Sequence, residues 1–234
     1  MKKSILTLAA LAVLVLNTSS HALGVLFSRP LNSNNTYNKM WIKTVDADVQ
    51  IDGHIGVTYV DQTFINEMNT VVEAVWVFPL PEGAVVTELF YWFNGVRYKG
   101  AIKEREEARQ AYEGQIRRSL DPALLEYLGD NLYRLSIAPI NALSDVRTEI
   151  TYVELLPYEF GTIDYSFLLN AVELTPKPLQ RISVKAVVET RNPIKYFNSP
   201  SHATSTATQI TRLSDKKYKV VFGDENFMPD KDLK

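Results

Sequence analysis

Two of the three histidines, several crowded carboxylates and a run of four aromatics are the residues of this 234-residue chain whose types could do chemistry, His21 falling in the leading segment. His54 and His202 lie far apart in turn-like and loop-like sequence, without the paired spacing a zinc site uses, and both read as exposed loop residues. Glu104, Glu106 and Glu107 sit together, but a glycosidase needs two acids on opposite sides of a cleft. Adjacent acids on a helix do not share a face, and Lys103, Arg105 and Arg109 surround these, so a solvated or docking surface fits them better. Asp46, Asp48, Asp52 and Asp61 offer oxygens near a turn without the spacing of a calcium loop. Phe90-Tyr91-Trp92-Phe93 alternates between two faces, so it fills core on both sides or leaves a contact patch on one. The sequence has no nucleophile elbow, phosphate-cradling glycine loop or His-Glu-x-x-His pair.

The elements that must position these residues are mostly strands. Val45, Ala47, Val49 and Ile51 alternate with Asp46, Asp48, Gln50 and Asp52, and Asp52-Gly53 turns the chain. Ile55, Val57 and Tyr59 are expected to return on an antiparallel partner. Ala74, Trp76 and Phe78 share one face of the next strand, which Pro79 and Pro81 stop by withholding backbone donors. A strand over Val85–Phe93 and the Asn94-Gly95 turn predict a hairpin. Lys103–Glu113 is expected to be a charged helix, with Ala108, Ala111 and Tyr112 on its apolar stripe. Asp121-Pro122 resembles an N-cap and first helical residue and predicts a short helix over Pro122–Leu128. Strands resume with Tyr133, Leu135 and Ile137. Val146, Thr148, Ile150 and Tyr152 then alternate with Arg147, Glu149 and Thr151. Ile163–Phe167, Ile182–Val188 and a hairpin turning at Asp215-Lys216-Lys217 follow, with Ser199–Thr208 as a mobile polar loop.

Residues 1–22 have the pattern of an export signal: Lys2 and Lys3, an apolar run over Ile5–Leu16, and a small-residue site at Ser20-His21-Ala22. The run is short for a membrane span, and none is expected after signal removal. Its removal takes two lysines from 25 basic residues, leaving 23 against 27 acids and a formal charge of −4. That balance gives no reason to expect nucleic acid. With no cysteine, disulfides and thiolate chemistry are excluded, and packing must hold the fold. The features suit a bacterial periplasm or cell surface.

Phe78-Pro79-Leu80-Pro81-Glu82-Gly83-Ala84 and Lys103–Glu113 resemble the opening turn and central helix of the VIT family, the vault protein and inter-alpha-trypsin inhibitor heavy chain domain. Leu132–Ile140 and Tyr152–Tyr158 are similar to its later blocks, so the resemblance covers 27–158. It implies an antiparallel β-sandwich-like domain, here with an inserted charged helix and a short second helix. Residues 159–234 would be a further β-rich segment leading towards a von Willebrand A domain. The Asp-x-Ser-x-Ser metal motif of that domain is not in this sequence. The resemblance brings no catalytic residue, cofactor or metal. The expectation is an exported, non-enzymatic interaction or scaffold module of a cell-envelope adhesion or assembly protein. Its partner would be a protein or a downstream von Willebrand A domain, docking on Glu104, Glu106, Glu107 and Arg109. Two alternatives stand beside it: an envelope-polymer hydrolase using surface carboxylates, and a structural subunit that offers free strand edges.

Overall fold

The computed structural model describes residues 23–93, 95–103, 124–129, 132–172, 175–202 and 205–234. They form two large sheets and one small hairpin. The six-stranded sheet takes the order β2 (Asn38–Lys39), β1 (Val25–Pro30), β5 (Val72–Pro79), β10 (Leu132–Ile140), β9 (Leu124–Gly129), β8 (Ala101–Lys103). The eight-stranded sheet runs β15 (Thr208–Arg212), β16 (Lys217–Phe227), β14 (Leu179–Glu189), β3 (Trp41–Asp52), β4 (Ile55–Ile65), β11 (Asp145–Leu155), β6 (Val85–Phe93), β7 (Val96–Lys99). Strands β12 (Tyr158–Glu159) and β13 (Thr162–Ile163) make the hairpin.

The mainly β expectation holds, but the sheets are mixed rather than purely antiparallel. Strand β14 lies parallel to β3, with Val184 opposite Ala47, and β8 lies parallel to β9. Beyond the β12–β13 hairpin, strands β14, β15 and β16 therefore extend the larger sheet. The expected helix over Pro122–Leu128 is a strand from Leu124 onward, and no α-helix occurs among the described residues. An isolated helix of that length is marginal in water, whereas a strand placed between β8 and β10 satisfies its backbone on both sides. Lys103, expected to start the charged helix, closes β8, and the rest of Lys103–Glu113 lies outside the described residues.

The two sheets pack through one core. Trp76, Phe78, Leu135 and Ile137 of the smaller sheet join Val49, Phe64, Leu89, Ile150 and Phe222 of the larger, all buried. Each such side chain contributes about 1.5–3 kcal/mol by leaving water. The alternation read in β3 and β5 is as expected. In β4 it is reversed: Gly56, Thr58, Val60, Gln62 and Phe64 face inward, while Ile55 is exposed and Val57 and Tyr59 are half-buried. The cross-strand register explains this, because Ile51, on the core face of β3, sits opposite Gly56. Gln62 remains inside by donating to the Gly24 carbonyl at 3.2 Å. A Cβ on Gly24 would stand 2.0 Å from Trp76 Nε1, so only glycine fits where that segment crosses the indole.

Candidate interaction face

The outer face of the eight-stranded sheet carries the concentrated chemistry of the described residues. Its rows follow from register. Ser183, Asp46, Asp61, Glu149, Phe90 and Lys99 stand opposite one another on successive strands from β14 to β7. Three acids would thus lie side by side, a repulsive arrangement unless cations intervene. The neighbouring strand positions provide them. Arg181 clamps Asp46 through two hydrogen bonds of 2.6 and 2.5 Å. Arg147 donates to Asp61 at 2.9 and 2.5 Å and reaches Glu149 at 3.1 Å. Arg97 donates to Glu149 at 2.9 and 2.5 Å, and the Trp92 indole donates to its other oxygen at 2.7 Å.

The aromatics complete this ladder. Tyr91 points inward and is buried, while Phe90 and Trp92 face outward half-covered. Arg97 lies over the Phe90 ring at 3.4 Å and Arg147 over Trp92 at 4.8 Å, distances at which the ring face attracts a cation. Burial of the Glu149 carboxyl works to raise its pKa. The hydrogen bonds from Arg97 and Trp92 and the charges of Arg147 and Arg97 outweigh this and hold it below its ordinary value. Asp61 holds the Arg147 guanidinium above its ordinary range, mainly through hydrogen bonding. Asp46, Asp61 and Glu149 accept these hydrogen bonds from neighbouring arginines and the Trp92 indole.

One acid has the opposite environment. Glu154, on the core face of β11, is 8% exposed and its Oε1 has no hydrogen-bond partner. Burial pushes its carboxyl up to about 7. It stands opposite Gly56 on β4, two residues along from Thr58, whose Oγ1 meets the Tyr165 hydroxyl at 2.9 Å.

Two rows along, the outer face changes character. Asp52, Ile55 and Leu155 stand opposite one another, as do Val57, Val153 and Val85. Ile55 is 51% exposed, Val85 61% and Leu155 76%. Strand β11 then leads directly into the β12–β13 hairpin, whose Phe160 is fully exposed at φ 52°, beside Gly161 at φ 86°. A bulky side chain at such a turn position is unusual, since Asn or Gly adopts it at lower cost. The Tyr158 ring stands edge-on to His54 at 5.1 Å, which sets the hairpin beside the β3–β4 turn.

Comparison with known proteins matches the middle of this face to a family. Residues 42–152 match the family model of the vault protein inter-alpha-trypsin domain. This segment is a VIT domain. It contains the ladder strands β4, β6 and β7, nearly all of β3 and β11 as far as Tyr152, whereas Val153, Leu155, the hairpin and Arg181 lie beyond it. Human inter-alpha-trypsin inhibitor heavy chain H4 is 30% identical over 137 residues, covering 57% of this chain and 14% of that protein. Human protein mono-ADP-ribosyltransferase PARP4 is 30% identical over 125 residues, covering 52% of this chain and 7% of that protein. The chain thus spans a small fraction of the curated relatives it matches. A solved structure of a candidate nutrient binding protein from Legionella pneumophila shares the fold at TM-score 0.54 and 14% identity. That match covers 92% of this chain and 69% of the other.

Of the residues expected to form the docking surface, Glu104, Glu106, Glu107 and Arg109 lie outside the described residues. Asp46 and Asp61, considered as calcium ligands, are both taken by arginines. His54 is exposed as expected, but His202 is 4% exposed, packed on Phe222 at 4.8 Å between ring centres. Burial and the nearby Lys231 lower its pKa. Within the loop expected over Ser199–Thr208, Ser199 and Ser201 are docked, both donating to the Lys234 carbonyl. The ladder arginines and the apolar rows were not singled out from sequence. Continuing the β11 alternation beyond Thr151 would have placed Val153 and Leu155 outward, and that is where the signal lay.

Proposed function

We propose that the chain is a non-enzymatic interaction or scaffold module that works outside the cytoplasm, docking a protein through the apolar end of its outer sheet face. One observation carries the reading: Leu155, Val85, Ile55 and Phe160 are exposed while Asp46, Asp61 and Glu149, the acids of the ladder row, are each paired with arginine. A surface whose charges are already paired has little to offer a ligand, whereas open apolar area is what association buries. The VIT match supports a role in interaction, and the basic start, apolar run and Ala22 site support export. A cell-envelope adhesion or assembly protein of a bacterium is the setting proposed, with a von Willebrand A domain as one candidate partner. The charged stretch around Glu104 and Arg109 is a second proposed contact.

The test uses the full chain expressed in bacteria with a photo-crosslinking amino acid at Phe160 or, as control, at exposed Tyr196. A discrete protein adduct in the envelope fraction from position 160 alone is expected. Equal adducts at both positions, or none at 160, would contradict the reading. So would turnover of envelope polymer by the purified chain.

A further inference from the structure

The rim of the apolar end specifies the chemistry of its occupant. Asp52 stands opposite Ile55, Glu88 stands opposite Thr151 two residues before Val153, and Glu159 lies between Tyr158 and Phe160. All three are exposed, and none has an ion pair to its carboxylate among the described residues. The cations nearest in register are Lys99, opposite Phe90 two residues from Glu88 and 5.8 Å over that ring, Lys217, paired with Glu189 at 2.8 Å, and Lys185, which lies opposite another acid, Asp48. Acids on the ladder are clamped by arginine; acids around the apolar rows are left open.

We infer that this end of the face binds a polypeptide segment that presents aliphatic or aromatic anchors flanked by lysine or arginine. The anchors would cover Ile55, Val85, Val153 and Leu155, with Phe160 of the hairpin closing over one side. The flanking cations would meet Asp52, Glu88 and Glu159. Uncompensated carboxylates at a rim steer cations in and repel anions, so complementarity there sets partner choice and on-rate. The same acids disfavour an anionic lipid surface, which would otherwise suit an exposed aromatic at a hairpin tip. A second copy of the chain is disfavoured too, because a two-fold contact through this patch would bring the same acids together.

This inference rests on the interaction reading, and the experiment separates the two. A fluorescein-labelled peptide of alternating leucine and lysine is titrated with the full chain, beside a matched leucine–glutamate peptide and vesicles of phosphatidylglycerol. The lysine peptide is expected to bind, and the other two are not. The double variant Leu155→Ser, Phe160→Ser should weaken binding about tenfold or more, because central apolar anchors dominate such interfaces. The triple variant Asp52→Asn, Glu88→Gln, Glu159→Gln should weaken it about threefold to tenfold and flatten its salt dependence. All these substitutions are at exposed positions, and unchanged circular dichroism confirms the fold. Equal binding of both peptides, binding to the vesicles, concentration-dependent dimerisation through the patch, or full binding by the double variant would overturn the inference. A crosslinked partner at position 160 together with no preference for the lysine peptide would overturn this inference alone and leave the interaction reading standing.

Discussion

The two ends of one sheet face solve opposite problems. At the ladder end, Asp46, Asp61 and Glu149 lie in one row, and the sheet remains stable there because Arg181, Arg147 and Arg97 reach in from neighbouring positions. At the apolar end, Ile55, Leu155 and Val85 are more than half exposed. Polarity alone would assign function to the charged end, since charge is where recognition and catalysis are usually sought. Satisfaction points the other way: the charged groups are spent on one another, and the unspent surface is apolar. Strand β11 makes the same contrast within a few residues. Glu149 faces out and is fully partnered, and Glu154 faces in with one oxygen unpartnered.

The sharpest way to break the comparison is to remove the acid at the centre of the ladder. Glu149→Ala strands Arg97 and the Trp92 indole and should cost about 2 kcal/mol of stability, read as a lower urea midpoint. Binding of the lysine peptide to the folded variant should not change. A variant as stable as the parent would mean that the ladder is ornament on the fold.

The two acids of β11 should also part in their pH dependence. Burial raises Glu154 from its ordinary 4.5 to about 7, so in that window the folded chain holds a proton the unfolded chain has lost. Its contribution is fully present below about 4.5 and declines as pH rises towards 7. Glu154→Gln should therefore raise the urea midpoint at pH 8 and change it little at pH 4.5. Glu149 runs oppositely: its pKa is lowered, so its contribution is present above the ordinary carboxylate range and lost as pH falls through the lowered value. Parallel pH profiles for Glu154→Gln and Glu149→Ala would contradict the assignment of opposite environments.

Smaller effects bound the comparison. Asp46→Asn opens an exposed fork with Arg181 and should cost less than about 1 kcal/mol, with the loss shrinking in high salt. Leu155→Ser should shift stability by no more than about 0.5 kcal/mol, because the side chain gives up little burial. A large loss there would show that Leu155 packs within the fold and is not free to dock.

Much of the β framework was legible because period-two alternation and turn chemistry act locally. Asp52-Gly53, Pro81-Glu82-Gly83 and the β3 alternation all stand where expected, with Gly53 and Gly83 at positive φ. The helix expected over Pro122–Leu128 failed because its Asp-Pro signature is a local preference, overruled by pairing with β10, the next strand, on one side and with the earlier β8 on the other. The inward polar face of β4 was hidden for a similar reason. Thr58 and Gln62 are tolerated inside only through Tyr165 and the Gly24 carbonyl, 107 and 38 residues away. The ladder depends on register across several strands, including the parallel β14–β3 junction, which no local pattern announces.

Backbone amide shifts in the presence of the leucine–lysine peptide test the central claim most directly. The account predicts shifts concentrated at Ile55, Val85, Val153, Leu155 and Phe160, with Asp46, Asp61 and Glu149 unmoved. Shifts concentrated on the ladder residues would contradict it.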